Sequence, residues 1–158
     1  MRELILLRHA HAEPASTGQA DLDRPLSPEG LAEAEAAGRW LAEQGLVPDC
    51  VLCSPARRTR ETLEAVLGVI GYVEQRLEDA MYEATSGTLA ALADTHNDAE
   101  RLLLVGHNPG LENFIALMTE GASDSGRGIP PGGVVWLGLP ADQATDPGTA
   151  AVHHFWWP

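Results

Sequence analysis

The chain has 158 residues, 44% of them hydrophobic, with 23 acidic side chains against ten basic ones, all ten of them arginine. That length leads one to expect a single domain over 1–158, and a formal charge of −13 repels nucleic-acid backbones and anionic lipid, so neither a nucleic-acid nor a membrane partner is expected. Without lysine there is no Schiff-base chemistry, and a bound anion must be held by arginine, histidine or backbone N–H groups.

The chain opens on a β-type run over 3–7, whose apolar stretch at 4–7 is closed by Arg8 and His9. Four apolar residues are too few for a signal-peptide core or a membrane span, and a cytoplasmic location is expected. A loop over 13–24 follows. Ser27 is placed to cap a helix whose first position takes Pro28, with Leu31, Ala34, Gly38 and Leu41 on one face. A short strand covers 51–53. Cys50 and Cys53 flank it, and positions three apart in a strand face opposite sides, so they read as buried, reduced thiols rather than a redox pair or zinc site. A helix over 56–67 turns Leu63, Val66 and Leu67 inward, and 71–77 is a third strand. Ser86 caps a helix to 96, and 101–106 is an apolar fourth strand. The helix over 109–119 carries Leu111, Ile115 and Met118 on one side. After a loop over 119–131, two β runs at 133–139 and 150–156 flank a loop at 140–148 with no helix between them. Alternating strands and helices closed by two adjacent strands predict a three-layer α/β/α fold, its sheet mostly parallel with an antiparallel edge. The aromatic end at 155–157 reads as core or as an interface patch, and oligomeric state is left open.

In open α/β sheets, ligands gather at the carboxyl ends of strands. Here those ends read Arg8-His9-Ala10-His11, Ser54-Pro55-Ala56-Arg57-Arg58 and Gly106-His107-Asn108-Pro109-Gly110. Histidines and arginines from distant segments would converge in one crevice. Guanidinium forks grip phosphate oxygens, and the helix that begins near Asn108 offers N–H groups and a positive dipole end. The crevice is therefore expected to bind phosphate, with a histidine kept uncharged by neighbouring guanidinium charge and free to attack phosphorus. A metal site from His9, His11 and His107 lacks a carboxylate or cysteine ligand, so no metal and no cofactor are expected.

Four spaced segments, Leu6-Leu7-Arg8-His9-Ala10, Asp23-Arg24-Pro25-Leu26-Ser27-x-x-Gly30, Ser54-Pro55-x-x-Arg58-x-x-x-Thr62 and Val105-Gly106-His107-Asn108-Pro109, together resemble the histidine phosphatase (phosphoglycerate-mutase-like) superfamily. Ala10 stands where many relatives complete an R-H-G motif with glycine. The short chain and the R-H-A and G-H-N-P forms are similar to SixA-type phosphohistidine phosphatases. The resemblance implies a phosphoglycerate-mutase-like fold and a metal-independent phosphatase. It makes His9 the phosphorylated nucleophile, Arg8 and Arg58 the phosphate grip, His107 the stabiliser of the transferring group, and Asn108 a further phosphate contact. Its serine-to-arginine spacing selects Arg58 over Arg57. Arg57 and Arg60 then read as solvated helix residues or rim charges, and His11 as a rim residue.

Larger members place a proton-donating glutamate after the third strand. Alignment here puts Asp79 at that position, with Glu78 and Glu83 as neighbours. A weak acid suits an imidazole leaving group better than an alkoxide. The short stretch after Leu77 leaves no room for a lid insertion, so the site is expected to be open. Both features favour a phosphorylated protein as substrate, an HPt domain or a phosphocarrier. A small phosphate ester is the alternative, and a non-catalytic phosphate-binding adaptor a third reading.

Overall fold

Strand β1 (Arg2–Arg8) turns Leu4 and Leu6 into one apolar core and Ile5 and Leu7 into another. Such a strand is buried on both faces, which is why it reads as an unbroken apolar run. The computed structural model describes residues 2–122, 128–140 and 145–158. In it, β2 (Cys50–Cys53) and β4 (Arg101–Gly106) share this two-sided pattern. With β3 (Glu74–Leu77), β5 (Val134–Leu139) and β6 (Ala151–Trp156) they form one sheet in the order β3-β2-β4-β1-β5-β6. The first four neighbours are parallel; β5 runs antiparallel to both β1 and β6. Cys50 and Cys53 lie in opposite cores, both free.

Helices cover both faces. On one side α1 (Pro28–Glu43) and α2 (Arg57–Ile70) contribute Ala37, Trp40, Leu41, Leu63 and Val66; on the other, α3 (Ser86–Thr95) and α4 (Gly110–Glu120) contribute Leu89, Ala93, Leu111, Phe114, Ile115 and Met118. The Ser27 hydroxyl caps α1 as expected, accepting from Gly30 N at 3.0 Å. The helix presses its start against the preceding loop: a Cβ on Gly30 would lie 1.9 Å from the His11 carbonyl oxygen. No helix among the described residues is long and apolar enough to cross a membrane.

Several boundaries differ from expectation. Leu31 is 47% exposed; the inward face of α1 is instead completed by Ala37 and Trp40, whose ring stacks on Trp156 at 5.6 Å. The C-terminal aromatic end is therefore divided, since Trp157 remains 50% exposed. Helix α2 runs three residues further than expected, to Ile70, where Gly71 at φ +91° caps it, and β3 begins correspondingly later. The cap of α3 is Thr85, which accepts from Thr88 N at 3.2 Å, rather than Ser86. The expected loops 119–131 and 140–148 lie partly outside the described residues.

Candidate active site

Parallel pairing sets the site. β1, β4 and β2 are adjacent, with Arg8 opposite Gly106 and Cys53 opposite Val105. The residues that follow them, His9, His107 and Ser54, are therefore delivered to one sheet edge. His9 N donates to Gly106 O at 3.0 Å, and the His9 and His107 ring centroids are 5.2 Å apart. Arg58 reaches the same place from the first turn of α2, which Thr62 ties to β1. The Thr62 hydroxyl donates to Arg58 O (2.7 Å) and accepts from Ala10 N (3.0 Å).

The resulting cavity, about 380 Å³, is lined by Arg8, His9, Asp21, Arg24, Arg58, Tyr82, Glu83, His107 and Asn108. A larger groove of about 720 Å³ between α1 and α2 is lined by Leu26, Leu31, Val69, three glutamates and one arginine, Arg39, with no histidine. The nucleophilic and anion-binding groups are in the smaller one.

The His9 tautomer follows from its partner. Nδ1 lies 2.8 Å from Ala10 O, and a carbonyl only accepts, so Nδ1 carries the proton and Nε2 the lone pair. Burial pushes His9 down to about 4, against the opposing pull of the Ala10 hydrogen bond and helped by Arg58 and Arg8. His107 falls to about 3, again chiefly through burial, then through His9 and Arg58. Both rings are thus neutral at pH 7. Desolvation contributes most, and guanidinium charge, the cause expected from sequence, contributes less. His107 Nε2 is 2.7 Å from the hydroxyl of Ser54, which is wholly buried.

Both phosphate-grip candidates are held by oxygen acceptors, Arg8 by one outside the cavity lining and Arg58 by Asp21 within it. Arg8 Nη1 donates to Ile129 O at 2.7 Å; Arg58, 6% exposed, donates to Asp21 O at 2.8 Å and to Asp21 Oδ2 at 3.0 Å. The Nε of each arginine and Oδ1 of Asn108 are buried with no hydrogen-bond partner among the described residues. Asn108 Nδ2 donates to Ile129 O and Glu112 Oε1. Unsatisfied buried polar atoms are costly, and three of them cluster in residues that line this cavity.

Of the other expected residues, Asp79 is exposed in a turn outside the lining, and Glu78 is also outside it; Glu83 does line the cavity. His11 turns away, its Nδ1 2.6 Å from Ser27 Oγ, so it joins neither the cavity nor a three-histidine cluster. Arg57 pairs with Glu61 and Arg60 donates to Pro55 O, both in solvent. Asp21 and Tyr82 were not anticipated, nor was a site role for Arg24. The Asp21 carboxylate accepts from the Tyr82 hydroxyl, from Arg24 Nη1 (3.0 Å) and from Arg58. These contacts, Tyr82 foremost, hold it ionised well below the usual carboxylate range. The only sequence signal for them is Asp21-x-x-Arg24 beside a recognisable motif.

Residues 4–114 match the family model of the histidine phosphatase superfamily (branch 1). An uncharacterized chloroplastic protein of Arabidopsis thaliana is 35% identical over 77% of the chain, which spans 61% of that relative's length. An uncharacterized Mycobacterium tuberculosis protein is 33% identical over 94% of the chain and 98% of its own length. Among solved structures, one assigned as phosphohistidine phosphatase SixA from Agrobacterium tumefaciens superposes with a TM-score of 0.86 at 31% identity, covering 99% of this chain and 98% of that one.

Proposed function

The chain belongs to the histidine phosphatase superfamily, whose members are phosphatases and mutases with a histidine nucleophile, and from that premise we propose that it is a phosphohistidine phosphatase acting through phospho-His9. The observation that carries this reading is the His9 ring. Its Nδ1–H is tied to Ala10 O, so its lone pair is confined to Nε2 in a cavity walled by Arg8, Arg58 and His107.

Arg8 and Arg58 grip the nonbridging oxygens with the terminal N–H groups not given to Ile129 and Asp21; both amide hydrogens of Asn108 go to Ile129 O and Glu112 Oε1, so its contact with phosphate is through its backbone N–H. Nε2 of His9 attacks phosphorus in line with the departing group. Phosphoryl transfer through a loose transition state asks mainly for charge stabilisation and positioning. The arginines supply charge without metal, and His107 donates to the transferring group from a ring fixed by Ser54. Water then attacks phospho-His9 and releases phosphate.

The substrate reading is a protein-borne phosphohistidine, on an HPt domain or a phosphocarrier. It is supported by the likeness to the Agrobacterium protein and by the placement of Asp79 outside the cavity. An imidazole leaves without an acid, whereas an alkoxide needs one. Glu83, which lines the cavity, is the observation favouring the second reading, a small-molecule phosphomonoesterase with Glu83 as acid. Turnover of phosphorylated HPt and phosphocarrier proteins beside small phosphate esters, with and without chelator, separates the two readings. Preference for the proteins and indifference to chelator are expected; exclusive turnover of small esters would overturn the reading.

A further inference from the structure

The cavity wall carries charge of both signs. Of its nine lining residues only Asp21 and Glu83 are exposed, and both are carboxylates. The seven buried or half-buried ones carry three guanidinium groups, two histidines, Tyr82 and Asn108. Asp21 holds Arg58 in place, but a carboxylate at the rim also presents negative charge to whatever group leaves past it. Asp21 in particular is fixed in place by Tyr82, Arg24 and Arg58.

We propose that Asp21 and Glu83 are specificity-determining residues that select the leaving group by charge, favouring a protonated imidazole and rejecting a carboxylate-bearing alcohol of the phosphoglycerate kind. This rests on the phosphohistidine reading above and refines it. In-line attack by His9, deep in the cavity, directs the leaving group toward the mouth. As the His9 Nε2–P bond forms, the substrate's P–N bond breaks and its electron pair returns to the substrate ring nitrogen. The other ring nitrogen already carries a proton, which stays on the ring and hydrogen-bonds to a rim carboxylate. Neutral imidazole departs, and the protein delivers no proton to it. A leaving group bearing its own carboxylate meets two like charges instead.

The test compares kcat/KM for phosphoimidazole and for 3-phosphoglycerate in the full chain and in Asp21→Asn, Glu83→Gln and the double variant. Asparagine keeps an acceptor for Arg58 while removing charge. Each single variant is expected to shift the phosphoimidazole-to-phosphoglycerate ratio toward the ester by about fivefold, and the double variant by more than about tenfold, as suits partly screened like charges. Equal losses on both substrates would reduce Asp21 to a positioning residue for Arg58 and overturn the proposal. A selective loss of ester turnover in Glu83→Gln would make Glu83 the leaving-group acid, and would overturn it too. A wild type that hydrolyses the ester alone contradicts the phosphohistidine reading itself. A wild type selective for phosphoimidazole with unmoved ratios contradicts only the rim assignment.

Discussion

Ser54 and His107, the residues that follow β2 and β4, are joined by a 2.7 Å contact between the Ser54 hydroxyl and His107 Nε2. Two parallel strands that pair along their length thus also pair through the side chains just past their ends. Ser54 is wholly buried and turns no atom to solvent, so its hydroxyl serves the ring. Replacing it with alanine is expected to free the His107 ring and lower kcat about tenfold with KM little changed, as for loss of one orienting group. It is also expected to cost about 1 kcal/mol in urea unfolding for a lost buried hydrogen bond. An unaltered kcat in Ser54→Ala would show that the contact does not orient the ring.

The histidine pair gives a pH signature. Free histidine titrates near 6.5, whereas His9 is held at about 4 and His107 at about 3. As pH falls below 6.5 the unfolded chain takes up protons that the folded chain refuses, so stability is full above pH 6.5 and declines from 6.5 down to about 3. Imidazole resonances assigned to the two rings are expected to stay in the neutral form through pH 5, while the melting temperature falls across the same interval. Titration of both rings near 6.5 would mean that the cavity does not desolvate them.

The three clustered arginines should behave differently. Arg58 faces the cavity while Arg57 and Arg60 lie in solvent. Arg58→Ala is expected to lower kcat/KM by roughly a hundredfold or more, the scale for losing one charged transition-state donor. Arg57→Ala and Arg60→Ala are expected to stay within about twofold, as exposed charges do. Steady-state kinetics on one substrate with all three variants decides it.

Gly30 is the point where α1 touches the loop that carries Asp21 and Arg24. Since a Cβ would meet the His11 carbonyl at 1.9 Å, Gly30→Ala must push that loop away. A destabilisation of about 1–3 kcal/mol is expected, the usual cost of overpacking. Weakened phosphate binding should accompany it, read by calorimetry.

These contacts also show how much the sequence made legible. β1 and β4 stand out because both faces are buried, which writes continuous apolar runs. β3 does not, because all four of its residues are exposed at the sheet edge and Gly71 belongs to the end of α2. Arg8, His9 and His107 were accessible because each sits at a strand end, and Arg58 because the spacing from Ser54 in the resembled family selects it over Arg57. Asp21 and Tyr82 meet across 61 positions of sequence, from a loop and a turn that carry no hydrophobic period, so nothing local announced the pair. An uncharged nucleophilic histidine was expected, but the main cause, burial, depends on packing that no spacing reveals.

The central claim is that His9 carries the phosphoryl group. Brief exposure of the chain to a labelled phosphoramidate, followed by alkaline quench and peptide mapping, tests it most directly. One acid-labile, base-stable label at His9 is predicted, absent from His9→Ala along with turnover. A label on any other residue, or substantial turnover in His9→Ala, would contradict the account.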